Sequence, residues 1–211
     1  MKHHTRIKIC GITRISDAQY IASLGVDAIG LNFHRHSPRF IDIAPARAIR
    51  QAIAPFVTIV ALFMDENEDW IEQVIKEVNP DCLQFHGDES QEFCQQWSVP
   101  YLKTIGMGSV TDIEAYASLY ATAQGYLLDS NRVGQQGGSG DTFDWSSIPS
   151  SFNHPLILAG GLHPANVAEA ITVIKPWAVD VSSGVEKSKG EKDLELIKRF
   201  CQEVKRGDGD V

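Results

Sequence analysis

Mostly apolar runs of four to six residues recur along the chain, separated by segments whose apolar positions fall three and four apart. The runs Ile7–Cys10, Ala28–Phe33, Thr58–Phe63, Cys82–His86, Tyr101–Ile105, Gly125–Leu128, Leu156–Ala159 and Ala178–Val181 have strand length and predict eight strands. Between them, Trp70, Ile71, Val74, Ile75 and Val78 make one helical face, and Leu194, Ile197, Cys201 and Val204 make another. Asn79-Pro80 and Val99-Pro100 stand where such units should end. Eight strands over 211 residues allow about 26 residues per strand–helix unit, lean for a (β/α)₈ barrel but in its range. A doubly wound sheet would use only five or six strands. The pattern therefore predicts an α/β fold: a single parallel (β/α)₈ TIM barrel over residues 1–205, with 206–211 a flexible tail.

Composition adds constraints. Hydrophobic residues make up 43% and charged residues 22%, as in ordinary globular domains. A net charge of -8 argues against nucleic acid or an anionic membrane as partner, without excluding a small anionic ligand. No apolar run approaches the ~20 residues of a membrane helix, and Ile7–Cys10 is too short for a signal segment. The four cysteines are scattered, without a metal-ligand or CxxC spacing, so reduced thiols and a cytoplasmic setting are expected.

In a barrel, chemistry belongs at the C-terminal ends of the strands and in the loops after them. Cys10 ends the first strand, where it is either a buried small hydrophobe or a working acid/base group. Asp129 follows Tyr126-Leu127-Leu128; an apolar strand end suits a proton-carrying carboxyl, and a cap or ion-pair role is the alternative. Arg39, stiffened by Pro38, offers a planar fork for a carboxylate, or is a solvated surface arginine. His86 ends the fourth strand, as a site residue or a structural histidine. Gly160-Gly161 and Ser183-Gly184 follow strands seven and eight, where barrel enzymes hold phosphate on backbone N–H groups. Gly138, in Gly137-Gly138-Ser139-Gly140, could add donors; tight turns are the commoner use of glycine. His34-x-His36 has no third ligand, so no metal is expected. Neither GxGxxG, a P-loop nor a nucleophile elbow is present.

Together these segments resemble the phosphoribosylanthranilate isomerase family of tryptophan biosynthesis. The resemblance runs through Lys8-Ile9-Cys10-Gly11-Ile12-Thr13-Arg14, Ser37-Pro38-Arg39, Gln84-Phe85-His86-Gly87, Leu127-Leu128-Asp129 and Gly137-Gly138-Ser139-Gly140 with Phe143-Asp144-Trp145. It continues through Leu158-Ala159-Gly160-Gly161-Leu162 and Val179-Asp180-Val181-Ser182-Ser183-Gly184-Val185-Glu186. Phe85 stands where the family usually has leucine, and Ser139 where threonine is common.

The resemblance implies an Amadori rearrangement of N-(5-phosphoribosyl)anthranilate to 1-(2-carboxyphenylamino)-1-deoxyribulose 5-phosphate. Cys10 would be the base and Asp129 the acid; Arg39 would pair with the anthranilate carboxylate, and His86 and Asp180 would line the sugar. It implies no cofactor, a phosphosugar-anthranilate substrate, and a monomer or homodimer. Lys8 lies on the same strand side as Cys10 and is a candidate to lower its pKa. The competing functions are another phosphosugar enzyme, such as indoleglycerol-phosphate synthase or a pentulose-phosphate epimerase, and a non-catalytic phosphosugar-binding barrel.

Overall fold

The computed structural model describes residues 4–131, 143–149 and 152–209. Eight parallel strands close into one barrel in chain order: β1 (Arg6–Cys10), β2 (Ala28–Asn32), β3 (Thr58–Phe63), β4 (Cys82–Phe85), β5 (Tyr101–Gly106), β6 (Gly125–Asp129), β7 (Leu156–Leu158) and β8 (Ala178–Val181). Around them lie α1 (Ile15–Ser23), α2 (Ile43–Ala52), α3 (Glu68–Val78), α4 (Gln91–Gln95), α5 (Ile113–Ser118), α6 (Val167–Ile174) and α7 (Leu194–Gly207). Between β6 and β7 the described residues carry only a 3₁₀ turn, Trp145–Ser147. β6 and β8 are buried at every position, which is why these runs show no polar alternation.

Two apolar layers result. Leu127, Ile157, Ala159 and Ala178 form a small cluster, with Leu102 packed against it, on the strand faces opposite the main core. The main core lies between strands and helices, where Ile9, Ile29, Leu31, Phe33 and Phe85 are fully buried.

Local chemistry sets the helix limits. Asn67 caps α3 by accepting a hydrogen bond from the Trp70 N–H at 2.9 Å, and Asn79 ends it in the left-handed region ahead of Pro80. The expected α3 face is present, with Trp70, Ile71, Val74 and Val78 buried and Ile75 half-buried. On α7 the buried face is Ile197, Phe200, Cys201 and Val204. Leu194 differs from expectation: it opens the first turn and is exposed, and Phe200 takes the core position.

Helix α7 continues through Gly207, past Arg206 where the tail was expected to begin. Asp208 then accepts hydrogen bonds from the Thr5 N–H and the Thr5 hydroxyl, both at 2.7 Å, which fastens the end of α7 to the start of β1. Gly207 is where α7 meets α6: a Cβ there would sit 3.0 Å from Cβ of Ile171. A further unpredicted element is the hairpin β9 (Glu186–Ser188) and β10 (Glu191–Lys192), which follows β8 and bears on the site below.

Candidate active site

Alternation along each strand sends Lys8 and Cys10 of β1, Gln84 of β4, Asp129 of β6 and Asp180 of β8 into the barrel. At the C-terminal end of the strands, Cys10, Arg39, His86, Asp129 and Asp180 line one cavity, with Gln84 among its other walls. Cys10 and Asp129 stand three strands apart around the barrel, on different parts of the same cavity wall. The thiol has room because β2 carries Gly30 opposite it: a Cβ at Gly30 would fall 2.7 Å from Cys10 Sγ.

All five sequence candidates in this cavity are buried, each less than a tenth exposed. Asn131 holds Asp129 Oδ1 through its backbone N–H at 3.0 Å and through its side-chain amide. Among the described residues, no ion pair involves Asp129. Asp180 Oδ1 accepts a hydrogen bond from Lys8 Nζ at 3.0 Å. His86 Nδ1 lies 3.2 Å from Thr104 Oγ1 and 3.3 Å from Gln84 Nε2, which fixes the ring. Burial pushes the His86 pKa down against the pull of Asp129 and Glu89, favouring the neutral imidazole.

Cys10 is the electrostatic centre of the site. Burial pushes its thiol up, Lys8 and Lys192 pull it down, and Asp180 pushes it up again; the balance is a raised pKa. Lys8 thus acts in the expected direction, by charge and hydrogen bond, but does not overcome desolvation. Lys192 was not anticipated from sequence. It reaches the site because the hairpin after β8 folds back over the rim, and its Nζ donates to the Ser182 carbonyl at 2.9 Å.

Arg39 is likewise not a surface side chain. Its Nε and Nη2 donate to Glu186 Oε1 and Oε2, both at 2.8 Å. Glu186 stands in the closing motif of the sequence, yet nothing in that motif signals a partner 147 residues away.

A second, smaller recess adjoins the first and is lined by Asp129, Gly160, Gly161, Asp180, Ser182 and Ser183. Gly160 and Gly161 have φ of +73° and +64°, backbone that side-chain-bearing residues seldom adopt. Gly184 sits beside this recess, and a Cβ there would collide with the loop after β7. Gly138 lies outside the described residues. Among the described residues, no cluster of three His, Cys, Asp or Glu is disposed to hold a metal ion, and no helix is long and apolar enough to cross a membrane.

Cys10 and Asp129 thus line one cavity, and Asp129 also lines the glycine-bearing recess beside it. The family model described as N-(5'phosphoribosyl)anthranilate (PRA) isomerase matches residues 7–203. The chain belongs to this family. Among curated relatives, the N-(5'-phosphoribosyl)anthranilate isomerase of Stenotrophomonas maltophilia (strain R551-3) is 46% identical over 98% of this chain and 95% of its own length. That of Nitrosospira multiformis is 48% identical over 94% of this chain and 96% of its own. Among solved structures, phosphoribosyl anthranilate isomerase from Thermotoga maritima superposes with a TM-score of 0.86 at 39% identity, covering 96% of this chain and 99% of that one. A phosphoribosyl anthranilate isomerase in complex with reduced 1-(o-carboxyphenylamino)-1-deoxyribulose 5-phosphate superposes at 0.81 with 35% identity, with the same coverage. The neighbours also include monomers generated from the dimeric Thermotoga maritima isomerase, at 0.83 and 36% over the same shares. The family's fold is the TIM barrel seen here.

Proposed function

We propose that this chain, an isomerase by family, converts N-(5'-phosphoribosyl)anthranilate to 1-(2-carboxyphenylamino)-1-deoxyribulose 5-phosphate by acid–base catalysis, with Asp129 as acid and Cys10 as base. The observation that carries this reading is the placement of these two groups at the ends of β6 and β1, on opposite walls of one cavity. Asp129 gives its proton to the furanose ring oxygen, and the ring opens to a Schiff base. Cys10, as the thiolate, then takes the C2 proton, leaving an enolamine; return of a proton to C1 and loss of the C2 hydroxyl proton to the Asp129 carboxylate give the ketone and restore both groups. C1 is reduced as C2 is oxidised within one molecule, so the reaction is an aldose–ketose isomerisation and needs no hydride carrier.

The other candidates take supporting roles. Arg39 faces the anthranilate carboxylate, with the N–H groups that Glu186 leaves unused. His86 and Asp180 face the sugar hydroxyls. Gly160, Gly161, Ser183 and Gly184 hold the phosphate on backbone N–H groups, with Gly138 a further candidate.

The test is single substitution at the two reacting groups. Cys10→Ala and Asp129→Asn each lower kcat by ~10²–10⁴-fold while affinity for the reduced product analogue stays within a few-fold. The readout is loss of substrate fluorescence, with calorimetric titration for the analogue. Full turnover in either variant overturns the assignment, and an inactive wild type that still binds the analogue favours the non-catalytic phosphosugar-binding reading.

Reduced cysteines fit a cytoplasmic setting, and we assign homodimer rather than monomer. Phe56, between α2 and β3, is fully exposed at a φ of +77°, and Trp177 lies half-exposed just before β8. Both belong to the N-terminal end of the barrel, where an apolar cavity of about 270 Å³ opens among Thr58, Leu102 and Ile157. A projecting ring and an apolar hollow on one face are self-complementary under two-fold symmetry. Phe56→Lys therefore shifts the sedimentation coefficient to that of a monomer; a wild type sedimenting as a monomer overturns the assignment.

A further inference from the structure

We propose that Glu186 is a positioning residue, gripping two N–H groups of Arg39 so that the remainder of the guanidinium is held toward the substrate's carboxylate. The inference rests on the reading of Arg39 as the carboxylate's partner. Both side chains are almost wholly buried, at 8% and 4% exposure, and the two bonds are parallel and of equal length, the geometry in which a planar fork has least freedom. Arg39 has no other place to go. Its stem lies so close to Gly11 that a Cβ there would sit 2.7 Å from Arg39 Cδ, and the Pro38 carbonyl before it abuts Gly190 in the β9–β10 turn. Ser37 Oγ, which accepts a hydrogen bond from Asn32 at 3.1 Å, also takes the Arg39 N–H at 3.1 Å.

Charge fits the same role. Lys192 Nζ donates to Glu186 Oε1 at 2.8 Å, so two buried cations share one carboxylate, and Arg39 is the member of this cluster that reaches the cavity wall. Burial pushes the Glu186 carboxyl up, but the hydrogen bonds and charges of Arg39 and Lys192 outweigh it and hold it below the ordinary glutamate range. A pair serving packing alone would have no need to bring Arg39 to the cavity wall or to carry an excess charge behind it. The arrangement is that of an anion clamp whose geometry is fixed before the anion arrives.

Steady-state kinetics on Arg39→Met, Glu186→Gln and the double variant separate positioning from packing. Glu186→Gln raises KM about tenfold or more with kcat within about threefold of wild type, because a binding contact is loosened while Cys10, Asp129 and the Lys192 charge near the thiol all remain. Adding Glu186→Gln to Arg39→Met changes KM less than about twofold further, because Glu186 reaches the substrate's carboxylate only through Arg39. Unchanged KM in Glu186→Gln, a fall confined to kcat, or multiplying effects in the double variant each overturn the proposal. Should Glu186→Gln not fold, Glu186→Asp takes its place: it keeps the charge, shortens the reach, and must raise KM at near-constant kcat, unchanged KM again overturning the proposal. Wild-type KM in Arg39→Met would instead overturn the underlying reading of Arg39, a result distinct from a failure at Glu186 alone.

Discussion

At Cys10 two opposing effects meet within one side chain. Desolvation favours the neutral thiol, and the charges of Lys8 and Lys192 favour the thiolate; desolvation is the larger. A free thiol near pKa ~8.5 is a few per cent ionised at neutral pH, and here the fraction is smaller still. kcat/KM for a Cys10 base therefore rises with pH into the alkaline range. Removing a cation raises the thiol further, so Lys8→Met shifts that limb to higher pH; an unmoved limb would show that Lys8 serves only Asp180. Gly30 offers a second test at this scale. Gly30→Ala forces the thiol aside, since the new methyl would fall 2.7 Å from Sγ, and kcat drops at least about tenfold, measured in the same fluorescence assay. Cys10 and Asp129 were legible in the sequence because a strand end is a local feature. Glu186 and Lys192 were not, because their meaning depends on a hairpin folding back across the rim to meet residues from β1 and the loop after β2.

Among the elements, the apolar runs gave the barrel strands to within a residue or so at either end, since a run buried on both faces has its length set by the strand itself. Helix α7 shows where periodicity falls short. Its apolar spacing marks the buried face, but Leu194 shares the spacing and lies in the first turn, beyond the reach of the core. Its end escaped the sequence reading for a different reason: Gly207-Asp208-Gly209 has the composition of a tail, and a tertiary contact with Thr5 orders it. Asp208→Ala leaves two buried Thr5 donors unmatched, a loss of about 1–3 kcal/mol. Thermal unfolding detects this as a fall in Tm of about 2–4 °C per kcal/mol. The α3 cap is a smaller term of the same kind: Asn67→Ala costs about 1 kcal/mol by loss of the bond to the Trp70 N–H.

For the molecule as a whole, the barrel has two ends with different chemistry. The C-terminal mouth gathers buried acids, a histidine and a thiol; the N-terminal mouth is apolar and bears Phe56 and Trp177. Lys8 reaches between them, lining the lower cavity while bonding Asp180 of the upper one. The proposed catalysis uses only the chain's own proton carriers. Exhaustive dialysis against EDTA consequently leaves turnover within experimental error of the untreated enzyme, and activity restored by added divalent ions would refute a metal-free mechanism.

The sequence by itself determined the alternation of strands and helices and the rim on which Cys10 and Asp129 fall, because each depends on residues near one another in the chain; the roles proposed for the two groups came with the family resemblance. Tertiary structure alone decided the rest. It buried Cys10 deeply enough for desolvation to outweigh its lysines, locked Arg39 onto Glu186, brought Lys192 beside both, and fastened α7 to Thr5. The reason is physical: pKa and hydrogen-bond partnership are properties of a three-dimensional environment, and closing the barrel brings β8 and the hairpin after it beside β1.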